Sequence, residues 1–320
     1  MKTLLPSPQT VHWGHFDATL KPVMEVEDGE IFQLRSVTGF PNDPVPPEWI
    51  PPEIPAIFDQ VMPKGPGPHI LTGPILVRGS HPGSVLQVDL LSIRLGASYG
   101  INLLQPLRGL LPDAVQSFDK QVIPLDRDTG LATLLPGVTI PTRPFFGILG
   151  VAPPPGWGRI PSNAPRSHGG NMDCKELVAG TTVFLPVSVE GALFSAGDGH
   201  AAQGDGEVDS TALETSLEAQ LRLRVREDFR IEMPVAVTPA HLIALGFDED
   251  LDRAARLAVR SLLNLLERYC GLPWPLNYRL ASVAADVRVT QVANGVKGCH
   301  AMIERSLLAQ LDRQPPFLLP

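Results

Sequence analysis

The sequence predicts a β-rich body with a smaller α+β part at its C-terminal end. The chain has 34 prolines and 29 glycines, about a fifth of its 320 residues, where average usage is roughly 12%. Short β-branched runs alternate with these Pro and Gly residues through most of the chain, and helical spacing of apolar residues is clear only in the last quarter. These observations exclude a helical bundle, because an interior Pro costs about 3 kcal/mol and an interior Gly about 1 kcal/mol.

The first 110 residues are predicted to form strands at residues 23–28, 30–37, 70–77 and 85–95. In the last of these, the imperfect alternation of Val85, Gln87 and Asp89 fits a strand buried on one face and partly covered on the other. The proline-dense residues 41–55 are expected to form a loop or an extended cover segment.

The middle of the chain continues this pattern. A strand pair is predicted at residues 121–125 and 131–140, and residues 145–158, apolar but dense in turn residues, are expected to be a buried connector. Residues 180–193 predict a strand with Pro186 at an edge or bulge. Residues 217–225 alternate apolar and polar side chains, which predicts an amphipathic strand.

The C-terminal quarter carries the helix. Apolar residues fall at helical intervals over residues 250–269, with Asp248 or Asp250 as the N-cap and Gly271 followed by Pro273 as the stop. A second short helix is predicted at residues 277–285, leading into a strand at 286–292. We therefore divide the chain into a β-rich part (1–165), a central β segment (166–235) and an α+β part (236–320).

The net charge, the length of the apolar runs and the cysteine count argue against several classes of function. The formal charge is −8 with a pI near 5.5 and no basic cluster, so nucleic-acid and anionic-membrane binding are not expected. No apolar run reaches the ~18 residues of a spanning helix, and the N-terminus lacks the apolar region of a signal peptide. Three cysteines without a CxxC pair fit a reduced, cytoplasmic protein.

Two glycine-rich segments hold the residues most suited to chemistry. They are Ser167-His-Gly-Gly-Asn-Met-Asp173 and Ala196-Gly-Asp-Gly-His-Ala-Ala-Gln-Gly-Asp-Gly-Glu-Val-Asp209. Their acidic and imidazole side chains are His168, Asp173, Asp198, His200, Asp205, Glu207 and Asp209. A mixed set of carboxylates and imidazoles suits Zn²⁺ or a similar divalent ion, which can assist hydrolysis. Asp198 and His200, two residues apart, share a face if the segment is a strand and can also converge in a loop.

These two segments have other interpretations besides a metal site. Gly-Asp-Gly is a common turn string, so a solvated acidic turn is the simplest one, although the acids follow an apolar run that is expected to be buried. An EF-hand is excluded because positions 3 and 5 counted from Asp198 are His200 and Ala202. The string matches neither a P-loop, a Rossmann fingerprint, a Gly-x-Ser-x-Gly elbow nor HExxH. The Cys-Lys-Glu string at Cys174 has the residue types of an amidase triad, but adjacent residues cannot converge on one substrate, so Cys174 is interpreted as a bystander.

The remaining histidines and Asp286 are interpreted from their neighbours in the sequence. His69 follows a rigid Pro-Gly-Pro turn at a strand entrance and is well placed to face a pocket. His12 and His15 either reach a site or pack structurally, and His81, His241 and His300 are interpreted as surface or structural residues. Asp286 interrupts an apolar strand and is either paired with an arginine such as Arg288 or placed behind the site.

The chain resembles the acetamidase/formamidase family. The match lies in Ser167-His-Gly-Gly-Asn-Met-Asp173, in Ala179-Gly-Thr-Thr-Val-Phe-Leu-Pro-Val and in Glu190-Gly-Ala-Leu-Phe-Ser-Ala-Gly-Asp-Gly-His-Ala-Ala-Gln-Gly-Asp-Gly-Glu207. Supporting matches are Thr10-Val-His-Trp-Gly-His-Phe-Asp17, His69-Ile-Leu-Thr-Gly-Pro74, Ala284-Ala-Asp-Val-Arg-Val-Thr-Gln-Val292 and Lys297-Gly298. The resemblance covers nearly the whole chain, and the long Gly-Asp-Gly-His string makes it specific.

The resemblance implies hydrolysis of a short linear amide such as formamide or acetamide. It also implies a jelly-roll-like β-sandwich with α+β parts and a homo-oligomer, a dimer or higher. At the matching positions we expect a divalent metal ion, zinc or else calcium, held by some of His69, Asp173, Asp198 and His200. Glu207 or Asp205 would be the general base, and Asn171 or Gln203 the partner of the amide or oxyanion. His168, Gly170 and His12 are expected to bind the substrate.

Two other functions are compatible with the same residues. One is a metal-dependent hydrolase of another C–N bond, in a cyclic or N-formyl amide, and the other is a non-catalytic small-molecule-binding β-domain with a structural metal. Residues 41–55 and 98–113 depart from the family pattern, so a substrate other than formamide or acetamide is expected if they line the pocket.

Overall fold

Twenty-two strands and four α-helices account for most of residues 1–318, the part of the chain that the computed structural model describes. The first eleven strands are β1 (Lys2–Leu4), β2 (Val11–Trp13), β3 (His15–Phe16), β4 (Met24–Val26), β5 (Ile31–Arg35), β6 (Ile70–Val77), β7 (Val85–Leu95), β8 (Tyr99–Leu104), β9 (Asp119–Asp126), β10 (Leu131–Leu135) and β11 (Val138–Pro141). The others are β12 (Phe145–Gly150), β13 (Ile160–Pro161), β14 (Gly169–Asn171), β15 (Thr182–Pro186), β16 (Phe194–Ala202), β17 (Leu213–Glu214), β18 (Leu217–Arg226), β19 (Val235–Val237), β20 (His241–Asp248), β21 (Ala285–Gln291) and β22 (Lys297–Glu304). The helices are α1 (Ile54–Gln60), α2 (Leu251–Cys270), α3 (Trp274–Ala284) and α4 (Arg305–Leu308), with 3-10 turns at Pro47–Trp49, Pro155–Trp157 and Pro316–Leu318.

Two large sheets form the body. The first has nine strands in the order β1-β5-β18-β7-β15-β19-β20-β22-β21. The second has eleven, along the path β11-β10-β9-β8-β17-β16-β12-β14, with β6 joining β16 to β2 and β4. Strands β13 and β3 pair separately. Most pairs are antiparallel, so each sheet can bury one face and expose the other.

The main core lies between the two sheets. Leu34 and Val88 from the nine-stranded sheet belong to the same buried apolar cluster as Phe146 and Phe194 from the eleven-stranded sheet. Burial of each such side chain contributes about 1.5–3 kcal/mol. The body is therefore a β-sandwich.

Helix α2 covers the outer face of the nine-stranded sheet. Its N-terminus is capped by the Asp250 carboxylate, which accepts a hydrogen bond from the Arg253 backbone N–H at 2.9 Å. Gly271 ends the helix in the left-handed conformation (φ 71°). The helix packs closely because β20 carries Gly246, where a Cβ atom would lie 2.3 Å from the Ala258 backbone nitrogen.

The fold class is confirmed as a mainly β body with a small helical part. The predicted strands at residues 70–77, 85–95 and 217–225 correspond to β6, β7 and β18, and the helix at 250–269 corresponds to α2. Among residues 1–318, no helix is both long and apolar enough to cross a membrane.

Five local predictions differ from the structure. The strand predicted at 180–193 is shorter, Thr182–Pro186. The strand predicted at 131–140 is a hairpin, β10 and β11, that turns at Gly137 (φ 80°). The predicted connector at 145–158 contains the fully buried strand β12, whose two covered faces remove the polar alternation that marks a strand. Helix α1 was not predicted and starts inside the proline-dense cover, and α3 starts at Trp274 instead of residue 277.

Candidate functional site

Strand β16 places Asp198 and His200 side by side. Their side chains meet with 3.4 Å between His200 Nε2 and Asp198 Oδ2, and both residues are buried. The i and i+2 spacing therefore acts as strand spacing, with both groups on one face. Asp198 itself has a left-handed backbone (φ 56°), which is uncommon for a residue other than Gly and is enriched at functional sites.

Strand β17 adds a third side chain from the neighbouring position. Glu214 is the direct partner of His200 in the β16–β17 register, so the two side chains share a face. Glu214 Oε2 lies 3.2 Å from His200 Nε2, while Glu214 Oε1 accepts a hydrogen bond from the Ala212 backbone N–H at 3.0 Å. The second carboxylate oxygen is thus left facing the imidazole.

Strand β12 provides the space in which these groups converge. Gly147 lies directly beneath them: a Cβ atom there would lie 2.6 Å from Asp173 Oδ1, 2.6 Å from Asp198 Oδ2 and 2.7 Å from His200 Cε1. Contacts below 3.0 Å force a shift in structure, so only Gly fits. On the same strand, Phe145 packs edge-on against the His200 ring, with 5.0 Å between centroids.

Asp173 enters the cluster from the segment after β14. The Nδ2 groups of Asn171 and Asn294 donate to its Oδ2 atom at 2.8 and 3.0 Å. Its Oδ1 atom is buried without a hydrogen-bond partner, and its backbone is left-handed (φ 46°). One carboxylate oxygen is therefore fixed by two amides, and the other is aimed into the cluster.

Gln203 orients the imidazole. Its Nε2 donates to the Asp173 carbonyl oxygen at 2.7 Å, which leaves Oε1 to accept from His200 Nδ1 at 3.1 Å. The Nδ1 atom of His200 therefore carries a proton, and the Nε2 atom faces Asp198 and Glu214. Both the oxygen and the nitrogen of the Gln203 amide are therefore engaged in hydrogen bonds within the site.

Glu207 and Asp205 are separated by the turn at Gly206. Glu207 is buried, has a left-handed backbone (φ 46°) and leaves Oε2 without a partner. Asp205 instead points outward to Lys175, with 3.0 Å between carboxylate and ammonium and a side chain that is 39% exposed. The Gly206 backbone N–H donates to Thr290 O at the end of β21 (3.2 Å), and its carbonyl accepts from the N–H of Val292, one residue past that strand (2.8 Å). Of the two acids proposed as general base, only Glu207 points into the cluster.

His69 lies at the margin of the cluster. Its Nδ1 atom is 2.8 Å from Ser162 Oγ, and its Nε2 atom is 3.7 Å from Asp198 Oδ2. Its side chain is 16% exposed, more than those of Asp198 or His200. His69 is therefore a ligand candidate on the more open side of the cluster.

Burial and mutual repulsion control the charges of these groups. Burial, together with the negative charge of Asp198, raises the pKa of Asp173 to about 8. Burial also raises the pKa of Glu214 and, together with Asp173, that of Glu207. The pKa of Asp198 is lowered, because His69 and His200 outweigh the effect of its burial. For His200, Glu214 and Asp198 outweigh burial and raise the pKa well above its usual value.

The cluster fits a divalent cation. Two groups of buried side chains have ligand atoms within 4.8 Å of one another, Asp173–Asp198–His200 and His200–Glu207–Glu214. The unpartnered atoms include Asp173 Oδ1, His200 Nε2, Glu207 Oε2 and Glu214 Oε2. Several carboxylates buried together need a positive partner, and the point that a Cβ of Gly147 would occupy lies within 2.7 Å of atoms of Asp173, Asp198 and His200. The donors, oxygen with imidazole nitrogen, are those of zinc and related ions.

The three residues expected to bind substrate, His12, His168 and Gly170, contact groups outside this cluster. His12 donates to or accepts from Ser195 Oγ at 2.9 Å, and His168 packs edge-on against Phe16 at 5.0 Å. Gly170 lies against His168, since a Cβ there would lie 3.0 Å from His168 Nε2. Among residues 1–318, no hydrogen bond or ion pair joins His12 or His168 to the acid cluster, which consists of Asp173, Asp198, His200, Glu207 and Glu214. Burial lowers the pKa of each to about 3, so both rings are neutral.

The structure also shows the surroundings of His15, Cys174 and Asp286, for which the sequence left more than one interpretation. His15 packs beside His12 and Phe16, with its ring centroid 5.7 Å from that of His12. Its Nδ1 atom is hydrogen-bonded to Trp13 O at 2.8 Å. Cys174 is buried, and burial raises the pKa of its thiol to about 12. Asp286 is not buried: its side chain is 70% exposed and 4.0 Å from Arg288.

Sequence reasoning missed Gly147, Glu214 and Asn294. Glu214 follows an unremarkable Ser-Thr-Ala-Leu string, and only the β16–β17 register brings it to His200. Asn294 lies in the turn between β21 and β22, far from Asp173 in sequence. Gly147 had a usable signal, because a Gly inside an apolar strand often marks a close approach.

Comparison with known proteins gives one family. The model of the Acetamidase/Formamidase family matches residues 59–156 and 160–294. An acetamidase of Mycolicibacterium smegmatis is 28% identical over 199 residues, covering 44% of this chain and 49% of that protein. A formamidase of Methylophilus methylotrophus is 30% identical over 191 residues, covering 44% of this chain and 47% of that protein. The match thus spans about half the length of these curated relatives.

Solved structures extend the similarity over the whole chain. The crystal structure of an acetamidase from Bacillus halodurans superposes with a TM-score of 0.84 at 27% identity, covering 97% of this chain and 99% of that one. The part of this chain that the family model matches contains every residue of the acid cluster.

Proposed function

The chain belongs to the acetamidase/formamidase family, and from this premise we propose that it hydrolyses the C–N bond of a short linear amide to a carboxylate and ammonia. The two curated relatives described above are an acetamidase and a formamidase, which makes acetamide and formamide the first substrates to test. The single observation that carries the proposal is the cluster of Asp173, Asp198, His200, Glu207 and Glu214, buried together with unpartnered atoms facing one another.

We propose that a divalent metal is held by Asp173, Asp198 and His200, with His69 or Glu214 completing the set. Zinc suits these donors best, and calcium is the alternative, which the imidazole makes less suitable. When bound, such an ion supplies Lewis-acid polarisation of the amide carbonyl, which is a poor electrophile by itself. Gln203 and Asn171 act on the ligands, because Gln203 fixes the His200 ring and Asn171 fixes the Asp173 carboxylate.

Glu207 is the proposed general base. Its carboxylate lies within 4.8 Å of the ligand atoms of His200 and Glu214 and has a free oxygen. As carboxylate, it removes one proton from the attacking water, whose oxygen forms the new bond to the carbonyl carbon. Glu207 then gives that proton to the amide nitrogen, the C–N bond breaks, and ammonia leaves with the carboxylic acid as the other product.

The family resemblance also leads us to propose a homo-oligomer and a cytoplasmic location. The three cysteines are all free, which is compatible with a reducing compartment. Neither proposal bears on the chemistry of the acid cluster.

The test of this function is hydrolysis across a panel of amides, measured as ammonia for the primary amides and as the free amino acid for the lactam and the N-formyl substrate, which release no ammonia. Acetamide, formamide and propionamide are expected to be hydrolysed, with a five-membered lactam and an N-formyl amino acid turned over more slowly or not at all. Faster hydrolysis of the lactam or the N-formyl amide would replace a linear-amide substrate by one of those classes. No hydrolysis of any member by metal-loaded protein would instead favour a non-catalytic binding domain.

Gly147→Ala is expected to weaken both metal binding and hydrolysis. The added methyl group would lie 2.6 Å from a carboxylate oxygen of Asp173 and of Asp198, so the ligands must move apart. Misplacement by about 1 Å costs roughly 10²-fold in rate. The measurements are kcat/KM for acetamide and the affinity for Zn²⁺ by competition with a chromogenic chelator.

Gly156→Ala is the matched control, because a Cβ atom there meets nothing within 4 Å. Wild-type metal affinity and activity are expected for it. If Gly147→Ala behaved like this control, the space above Gly147 would not be part of the site.

A further inference from the structure

The turn between β21 and β22 contributes a side chain to the acid cluster. In this turn, Asn294 donates a hydrogen bond from Nδ2 to Asp173 Oδ2 at 3.0 Å. The two residues lie 121 positions apart in the chain, and Asn294 is half-buried. The C-terminal part of the fold therefore takes part in a site that is otherwise built from the Gly-rich segments and their neighbouring strands.

Gln291 holds this turn in place from inside the protein. Its side chain is fully buried. Its Oε1 atom accepts from the Asn294 backbone N–H at 3.1 Å, and its Nε2 atom donates to Val296 O at 2.8 Å. Directly before the turn, the Val292 N–H donates to Gly206 O at 2.8 Å. The position of the Asn294 amide is therefore set by an anchored backbone.

The Oδ2 atom of Asp173 has no capacity left for a metal ion. A carboxylate oxygen has about two lone-pair positions, and the amides of Asn171 and Asn294 fill both, at 2.8 and 3.0 Å. The other oxygen, Oδ1, is buried without a hydrogen-bond partner. Asp173 can therefore offer a single oxygen to an ion, whereas loss of Asn294 would allow it to offer both.

A restriction to one oxygen favours an ion that needs few ligands. Zinc is usually tetrahedral, whereas calcium takes about six to eight oxygens and often binds a carboxylate through both. The carboxylate of Glu214 is restricted in a similar way, because its Oε1 atom accepts from the Ala212 N–H at 3.0 Å and its Oε2 atom faces His200. The hydrogen bonds around the cluster thus act in the same direction on two carboxylates.

We propose that Asn294 is a positioning residue that determines metal selectivity. By occupying Asp173 Oδ2, it limits this ligand to one oxygen and favours zinc over calcium. The inference rests on the proposed metal site and adds a residue that does not itself touch the ion. Hydrogen-bond partners of metal ligands typically change metal affinity by about 10–100-fold, which is readily measured.

The test compares the affinities of the full chain for Zn²⁺, by competition with a chromogenic chelator, and for Ca²⁺, by calorimetry. Asn294→Ala is expected to lower the affinity for Zn²⁺ by about 10–100-fold, because Asp173 loses one of the two bonds that aim its Oδ1 atom. The affinity for Ca²⁺ is expected to be unchanged or higher, since the released lone pair of Oδ2 can bind the ion. The ratio of the two affinities therefore falls by at least about tenfold.

Visible absorption of the Co²⁺-loaded protein gives a readout that a general loss of stability would not produce. The bands of Co²⁺ weaken as its coordination number rises, so a second oxygen from Asp173 in Asn294→Ala is expected to weaken them. Asn171→Ala removes the other donor to the same oxygen and is expected to lower the Zn²⁺/Ca²⁺ ratio in the same direction. Asn42→Ala, at an exposed turn position, is the matched control and is expected to match wild-type protein.

The result separates this inference from the proposed metal site. Equal losses of affinity for Zn²⁺ and Ca²⁺ in Asn294→Ala, or an unchanged ratio with an unchanged Co²⁺ spectrum, would overturn the role of Asn294 in selectivity and leave the metal site in place. A wild-type chain that binds neither ion would contradict the metal site and this inference together.

Discussion

Asp198→Asn is expected to remove tight divalent-metal binding and to lower kcat/KM for acetamide by about 10³-fold or more. Lewis-acid assistance is worth several kcal/mol, and each 1.36 kcal/mol is about tenfold in rate. Asp198 contacts both imidazoles of the cluster, at 3.4 Å from His200 and 3.7 Å from His69. Loss of its charge therefore weakens the ligand set at its centre.

Asn is the appropriate replacement because it has the same shape and tolerates the left-handed backbone of position 198. The measurements are metal content per chain by elemental analysis, metal affinity by calorimetry, and ammonia release. Asp128→Asn, at an exposed position in the β9–β10 turn, is the matched control and is expected to match wild-type protein. A folded Asp198→Asn variant with wild-type metal content and activity would show that the ion, if one binds, is held elsewhere.

Glu207→Gln is expected to lower kcat for acetamide by about 10²–10⁴-fold, the usual contribution of a general base. The amide keeps the size of the side chain but cannot accept the proton of the attacking water. Because Glu207 belongs to the cluster without being one of the three proposed principal ligands, we expect metal content to stay near that of wild-type protein. The measurements are steady-state ammonia release and metal analysis of the same preparation.

Asp205→Asn separates the two candidate bases. Asp205 pairs with Lys175 at the surface, so its replacement is expected to change kcat by less than about twofold, as for most substitutions away from the chemistry. Severe loss in Asp205→Asn with near-normal rates in Glu207→Gln would exchange their roles. Loss of metal in Glu207→Gln would make Glu207 a ligand.

Much of the fold follows from local pattern. Strand β18 alternates cleanly because one face is buried, and α2 has apolar residues at helical spacing with an Asp cap and a Gly stop. Strand β12 could not be recognised in this way, since it is buried on both faces and carries no alternation. Short β17 has only two residues and takes its position from tertiary pairing.

The candidate site could be predicted where its residues are close in sequence. Asp198 and His200 share a strand, and the Gly-rich strings indicated Asp173 and Glu207. Glu214 depends on strand register, which sequence spacing does not contain.

The separation of Asp205 from Glu207 was also beyond sequence reasoning. Both are acids in one Gly-rich string, and the direction of each is set by the turn at Gly206 and its bonds to β21. His12 and His168 match the family motifs, yet they pack around Phe16 as neutral rings. Motif matching located the segments, and tertiary structure decided which side chains face one another.

Metal dependence of amide hydrolysis tests the central claim most directly. One preparation is assayed for ammonia release from acetamide and formamide as purified, after exhaustive chelation, and after reloading with Zn²⁺, with metal content measured at each stage. We predict that activity falls by about 10³-fold or more on removal of the metal, as expected for the loss of about 4 kcal/mol of stabilisation, and returns on reloading. Undiminished hydrolysis by protein whose metal content is at background would contradict the account.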